Sequence, residues 1–358
     1  MADEKELQRI REALEAADAG FVDALEARAK AIEALIALRE REPETYFAMP
    51  SVAEVVQKAL TTAEHFPKEP LERALREVLG ASANMLAPTI VAIPGPQGGF
   101  AEVAARQHFG SSAQVQSHLD VGRVFEEVER KRASFGVVPF ETSTDGAMTS
   151  TIDGLASSDA RICAEITIGC RYDLVSSTGN AGDVENVYGT SEALAFCAST
   201  LSREFPKVTT LDVRSAAVAL DLAREDHGAA AVVAGWSEHD PGELRRVRSG
   251  IEDLDGVETR FVVIGHEKPR RTGTDRTILG LAVKDEPGSL HNALSPFADR
   301  GINLTRIESR PVRGRSWRYL FIVELDGHIT DRPVLTAVED VRAAARHLRV
   351  LGSFPRPS

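Results

Sequence analysis

From Leu7 to Leu38 apolar residues return every three or four positions, at Leu7, Ile10, Leu14, Ala17, Phe21, Leu25, Ile32 and Leu35, with Gly20 the single breaker. That spacing predicts one long amphipathic helix. At 1.5 Å per residue, about 32 residues span about 48 Å, longer than a compact domain of this size is wide. A lone helix cannot cover its own apolar stripe, so partners are required: stretches 51–62 and 71–86 supply two, and a second copy of the chain supplies more. The first segment, 1–88, is expected to be all-helical and to form a homodimer, with pairing of dimers into a tetramer left open.

After Pro88 the pattern switches to short β-rich runs, TIVAI, FGVVPF, ICAEITI, VTTLDV, AAAVVAG and RFVVIG, with helical stretches at 102–109, 148–156 and 216–224 between them. Alternating strands and helices predict a mostly parallel sheet whose ligands sit at loops beyond the strand ends. Two loops, GPQGG at 95–99 and ETSTDG at 141–146, combine glycine with small hydroxyls, as close approach of backbone to an anionic ligand requires. EKPRRTGTDR at 267–276 reads as a linker. Beyond it come strand, helix (289–299, opened by Pro287-Gly288), two strands, helix (334–347) and a last strand, the βαββαβ order of small ferredoxin-like regulatory domains. Three domains are expected, 1–88, 89–267 and 276–357, in keeping with a length of 358 residues.

Lys and Arg number 42 against 54 Asp and Glu, a net charge of -12, which favours small-molecule chemistry over nucleic acid or an anionic membrane. MADEKELQRI lacks the apolar core of a signal peptide and no long uncharged apolar run follows, so a cytoplasmic protein without membrane association is expected. Cys163, Cys170 and Cys197 sit among apolar neighbours without metal-ligand spacing and are expected to be buried reduced thiols. No metal and no organic cofactor is indicated.

Arg28 lies on the apolar stripe between Leu25 and Ile32, where an unpaired guanidinium costs several kcal/mol. Arg39, eleven residues on, returns to within about 20° of the same face. Arg11 lies about 100° around from Arg28, a position suited to reaching another subunit's groove. Paired guanidinium forks suit a dicarboxylate; pairing with neighbouring glutamates accounts for the pattern equally well.

With Arg11, Asp18, Arg28 and Arg39 at these intervals and Ser82 near the end of its third helix, the first segment resembles the small all-helical chorismate mutases. The resemblance implies an intertwined dimer in which Arg28 and Arg39 hold chorismate's carboxylate and ether oxygen, Arg11 is contributed across the dimer, and Ser82 completes the set. Catalysis there is pericyclic and needs orientation and ether-oxygen stabilisation, with no nucleophile. The family's polar residues before the second helix fall on Ala48, Ser51 and Val52, and its glutamine one turn after Ser82 is Leu86.

Residues 89–265 resemble prephenate dehydratase in GPQGGF at 95–100, VVPFE at 137–141, Gly146, Ile251-Glu252-Asp253 and Thr259-Arg260-Phe261. The resemblance implies a two-lobed α/β domain in which Thr259 is catalytic, Arg260 binds a substrate carboxylate, and Gly98, Glu141, Ser143 and Gly146 line the prephenate pocket. Departures from the family pattern fall on Thr142, on Gly189, Thr190, Ser191 and Glu192, on Gly99 and Ala101, and on Val257. The last segment resembles the ACT domains of these enzymes, through Pro287-Gly288-Ser289-Leu290, the run Asn303 to Pro311 and LRVLGSFP at 348–355. That implies an L-phenylalanine site built from Gly288, Ser289, Leu290, Asn303, Leu304, Glu308, Ser309 and Arg310. Physically, a helix N-terminus suits the ligand carboxylate and apolar strand residues suit its ring.

Two readings follow. One is an enzyme that makes prephenate from chorismate and phenylpyruvate from prephenate under phenylalanine control. The other is a chain with weakened catalysis that senses phenylalanine, or a dehydratase whose helical domain only dimerises.

Overall fold

The apolar run at the N-terminus folds as α1 (Glu4–Arg41), a helix of 38 residues with Glu4 and Glu6 in its first turn and Arg39 and Arg41 in its last, each sign matched to the helix dipole. The computed structural model describes residues 4–42, 52–144, 146–235, 244–311 and 319–356, so Ala48 and Ser51 lie outside the described residues. Two further helices follow, α2 (Val52–Thr62) and α3 (Lys68–Leu86), and α3 packs on both others. Ile32 is the buried residue of α1, whereas Leu7, Ile10, Leu14, Phe21 and Val22 are exposed. Packing divides the chain into two units, residues 1–89 with 109–114, and 90–108 with 115–358. In the first, Glu77 accepts hydrogen bonds from the backbone N–H and hydroxyl of Ser111 at 2.9 Å, and Gly80 is required because a Cβ there would lie 2.0 Å from the Phe109 carbonyl oxygen.

The second unit begins with β1 (Ile90–Pro94), α4 (Phe100–Phe109), β2 (Gln114–His118), α5 (Val121–Glu129), β3 (Phe135–Thr142), β4 (Gly146–Ala147), α6 (Thr149–Ser157) and β5 (Arg161–Gly169). A second lobe comprises β6 (Tyr172–Ser176), β7 (Asn186–Gly189), α7 (Ser191–Phe196), α8 (Ala198–Glu204), β8 (Thr209–Asp212), α9 (Ala216–Glu225), β9 (Ala229–Ala234) and β10 (Arg245–Ser249). The chain returns to the first lobe as β11 (Glu258–Gly265) and ends with β12 (Asp275–Ala282), α10 (Ser289–Ala298), β13 (Leu304–Pro311), β14 (Tyr319–Asp326), α11 (Arg332–Ala344) and β15 (His347–Pro355).

The expected mostly parallel sheet is instead mixed. β11 pairs antiparallel with both β3 and β5, while β1 and β3 are parallel; in the second lobe β6 is antiparallel to β9 and β10, and β7 is parallel to β8 and β9. The cause is the chain path: it leaves the first lobe along β5, builds the whole second lobe, and returns along β11, so β5 and β11 run in opposite directions. The last six elements follow the expected βαββαβ order. Their sheet joins that of the first lobe through a parallel contact between β15 and β5, giving the order β13-β14-β12-β15-β5-β11-β3-β1-β2 with β4 on β3. At that junction Gly352 faces Ile162, and a Cβ on it would lie 2.5 Å from the Ile162 carbonyl oxygen. One apolar core runs beneath the joined sheet, with Phe140 and Val262 of the first lobe packed in the same cluster as Ile278, Ile322, Leu351 and Phe354.

The linker is pinned down: the buried Asp275 carboxylate accepts hydrogen bonds from Thr272 and Gly273, and Arg271 pairs with Asp331 at 2.6 Å. Among the described residues no helix is long and apolar enough to cross a membrane, and no group of three or more His, Cys, Asp or Glu could hold a metal ion.

Candidate active site

β11 is flanked by β3 and β5, which sets Thr259 opposite Thr142 on one side and Ile168 on the other. Its side chain is buried, 6% exposed, and its hydroxyl lies 3.1 Å from the Cys170 thiol. Burial pushes the Cys170 pKa up, and the Thr259 hydrogen bond only partly opposes this. Cys170 is therefore a protonated thiol near neutrality. Thiol and hydroxyl face each other and either can donate; where the thiol donates, the Thr259 proton is left for a ligand. Sequence reading assigned Cys170 no function; the contact spans 89 residues, and nothing local marks it.

The loop after β3 is tied to the same strand. Ser143 donates its backbone N–H to the Glu258 carbonyl at 2.8 Å and its hydroxyl accepts from the Glu258 N–H at 3.0 Å, so the hydroxyl proton remains available. Gly146 has φ +73, the left-handed region that favours glycine. Gly98, at φ +79, donates to Glu102 at 2.9 Å and comes so close to Ala216 that a Cβ would lie 2.5 Å from the Ala216 side chain. With the Gln97 carbonyl accepting from Ala216 N–H at 3.2 Å, the 95–99 loop meets the start of α9 from the second lobe. The Ile251-Glu252-Asp253 run is structural: Ile251 is fully buried, Glu252 accepts from Tyr172 N–H at 2.9 Å, and Asp253 accepts from the N–H groups of Ser199 and Thr200 at the start of α8. Thr190 caps α7 through Ala193 N–H at 3.3 Å.

The geometry corrects the expectation for Arg260 and Glu141. Adjacent strand residues point to opposite faces, so Arg260 turns away from Thr259. Its guanidinium meets Glu165 at 3.2 Å and Glu324 at 2.9 Å, and its Nε lies 2.9 Å from Glu141, close but without hydrogen-bond alignment. Arg276 joins Glu165 at 2.6 Å, and Arg306 pairs with Glu141. Burial opposes the Arg260 charge, yet Glu324 and Glu165 outweigh it and hold its pKa above the ordinary range. Burial likewise opposes the Glu324 charge, and Arg260, Arg276 and Arg306 outweigh it and hold that carboxyl below its usual range. With Glu308 on Arg306 at 2.7 Å and Arg310 4.0 Å from Glu308, four arginines face four glutamates. Arg260 has no open fork for a substrate, and sequence reading missed this because its partner Glu324 lies 64 residues away.

In the helical unit two expected residues meet: Arg28 Nε donates to the buried Ser82 hydroxyl at 2.8 Å, and Ser82 donates on to the Val78 carbonyl at 2.7 Å. Arg11 and Arg39 are exposed, and Leu86 ends α3 one turn beyond Ser82 without a polar group. In the C-terminal domain Gly288, at φ +80, precedes α10, which begins with Ser289 and Leu290. Asn303 Nδ2 donates to Asp326 at 3.1 Å, Leu304 packs on the domain's core, and Glu308 pairs with Arg306 at 2.7 Å. Ser309 and Arg310 lie near the end of β13, at one edge of the sheet, and Arg310 Nη2 is buried without a hydrogen-bond acceptor among the described residues.

The profile of the prephenate dehydratase family matches residues 91–269, and that of the ACT domain matches residues 277–343. The bifunctional chorismate mutase/prephenate dehydratase of Aquifex aeolicus is 35% identical over 360 residues, covering 98% of each chain. The protein of the same description from Stutzerimonas stutzeri is 31% identical over 363 residues, covering 99% of each. Among solved structures, the prephenate dehydratase of Arthrobacter aurescens in complex with L-Phe superposes with a TM-score of 0.62 at 31% identity, covering 75% of this chain and 90% of that one.

Proposed function

The chain belongs to the family of bifunctional chorismate mutase/prephenate dehydratases with a C-terminal ACT domain, and on that premise we propose that it converts prephenate to phenylpyruvate, water and carbon dioxide at Thr259. The observation that carries this reading is the buried Thr259 hydroxyl, oriented by the Cys170 thiol at 3.1 Å and set opposite the Thr142–Ser143 loop. In the reaction the bond from the ring to its carboxylate breaks and its electron pair enters the ring. The ring C–O bond breaks as the hydroxyl departs with its own pair and takes up a proton. A threonine hydroxyl is a weak acid, so Thr259 serves by hydrogen bonding the departing oxygen as charge develops on it, while aromatisation supplies driving force. With Arg260 and Glu141 engaged in ion pairs, the ligand groups nearest Thr259 are the hydroxyls of Thr142 and Ser143 and the turn at Gly146, with Gly98 shaping the opposite loop.

Residues 1–88 form the chorismate mutase, 89–267 the dehydratase and 276–357 the regulator. Chorismate binds at Arg28 and Ser82, supported by their mutual hydrogen bond; Arg39, and Arg11 from a second copy, complete the site in a homodimer. L-phenylalanine, the ligand named for the Arthrobacter structure, binds between the start of α10 (Gly288 to Leu290) and Asn303, Leu304 and Glu308 to Arg310, and sets dehydratase turnover. The protein works in the cytoplasm.

Purified protein given chorismate or prephenate separately, with phenylpyruvate as the readout, tests both activities. Product is expected from each, and none from prephenate would refute the dehydratase. Thr259→Ala is expected to lower prephenate kcat by at least about 100-fold, the scale of losing one transition-state donor, with an unchanged melting temperature. Wild-type turnover in that variant would place the chemistry elsewhere.

A further inference from the structure

Arg306 stands between the two sites proposed above. Arg306, Glu308 and Arg310 are alternate residues of β13 and share one face of that strand. Arg306 donates to Glu308 at 2.7 Å, pairs with Glu141, and lies 3.5 Å from Glu324. Glu141 sits at an irregularity of β3. Arg260 is opposite Glu141 and Phe261 opposite Pro139, leaving Phe140 as an extra residue. The guanidinium groups of Arg260 and Arg306 lie 4.8 and 5.7 Å from the centre of the Phe140 ring, so this bulge is clamped by an arginine from each domain. Bulges of this kind set where the following side chains point, and here those are Thr142, opposite Thr259, and Ser143, bonded to Glu258.

We propose that Arg306 is a positioning residue for prephenate turnover and the joint through which an amino acid bound at Glu308–Arg310 reaches Thr259: it grips Glu141, and so the bulge and the hydroxyl loop, with the same guanidinium that grips Glu308. The five donors of a guanidinium sit in a fixed fork and cannot serve two carboxylates independently. An arriving ammonium competes with Arg306 for Glu308, and an arriving carboxylate competes with Glu308 and Glu141 for Arg306. Either changes the hold on Glu141. These side chains are only partly buried, so the contacts act through geometry and charge together.

This inference rests on the dehydratase and phenylalanine-site readings above, and the experiment separates them. On the full-length chain, prephenate kcat and KM are measured with and without L-phenylalanine, together with calorimetric L-phenylalanine binding, for wild type, Arg306→Gln, Arg306→Lys, Glu141→Gln and Arg306→Gln/Glu141→Gln. For Arg306→Gln, KM is expected to rise roughly tenfold and the phenylalanine effect on rate to shrink by a similar factor, within the usual range of coupling between sites, while phenylalanine still binds. Arg306→Lys, which keeps the charge, is expected to recover most of the response, and the double variant to be no worse than its worse single variant. An Arg306→Gln enzyme with wild-type KM and response, losses that add in the double variant, or equal losses in Arg306→Gln and Arg306→Lys accompanied by a lowered melting temperature would each overturn the inference while leaving the function intact. A wild-type chain inert toward prephenate would overturn both.

Discussion

At Thr259 a hydroxyl and a thiol, each a modest acid, are arranged so that one orients the other. Replacing Cys170 by Ala removes the hydrogen-bond partner of the Thr259 hydroxyl without adding bulk, and is expected to lower prephenate kcat about fivefold, near 1 kcal/mol for one lost neutral hydrogen bond. Cys170→Ser should keep most of the rate, and equal steady-state kinetics for wild type and Cys170→Ala would remove Cys170 from the site. Glu324 permits a prediction in pH. Its folded carboxyl titrates below the ordinary value of 4.5, so its contribution to stability is complete above that value and is lost as pH falls through the folded pKa. Glu324→Gln is expected to cost about 1–3 kcal/mol near neutrality, because it removes the carboxylate shared by Arg260, Arg276 and Arg306 while Glu141, Glu165 and Glu308 remain, and to flatten the fall of the melting temperature between pH 5 and pH 3. A wild-type profile flat over that interval would contradict the ion-pair account. The sequence named Thr259 as the candidate catalytic residue and Arg28 and Ser82 as candidate chorismate ligands through resemblance to the family, but it paired Arg28 with Arg39 and did not foresee the hydrogen bond to Ser82. It did not disclose Cys170 or the engagement of Arg260, because those depend on strands that meet only in three dimensions.

At the scale of elements, α1 was legible because its apolar period persists for many turns without a breaker. α5 was equally readable in hindsight: Asp120 caps it, accepting from Arg123 N–H at 2.9 Å, and Val121, Val124, Phe125 and Val128 bury one face, yet it is short and lies between more conspicuous strands. Strand direction was not legible, since whether β11 runs with or against its neighbours depends on where the chain re-enters the lobe. The exposed Leu7, Ile10, Leu14 and Phe21 side chains of α1 form a stripe that a second copy can cover. Leu14→Glu combined with Phe21→Glu is expected to shift sedimentation from dimer to monomer and to abolish chorismate turnover, leaving prephenate turnover within about twofold given that exposed substitutions rarely disturb a fold they do not pack in. Sedimentation identical to wild type would show that this stripe is not the dimer contact.

On the scale of the whole molecule, the dehydratase lobe and the regulator are continuous through both sheet and core. Phe354, fully buried near the chain's end, packs in the cluster that contains Val262 of β11. Phe354→Ala is expected to cost about 3–5 kcal/mol and to lower the temperature at which dehydratase activity is lost, in step with loss of phenylalanine binding. Two separate melting transitions, with activity surviving the first, would show that the parts fold independently. Such a shared interior bears on how regulation is inherited. A βαββαβ unit that touched its enzyme only through a linker could be exchanged between proteins as a cassette. This one carries Ile278, Ile322, Leu351 and Phe354 on its underside as part of another domain's interior, and Gly352 where only hydrogen fits. Recombination that moved it to a new host would have to move its complementary surface as well, so its sensitivity to an amino acid should travel through descent with the dehydratase lobe and not alone.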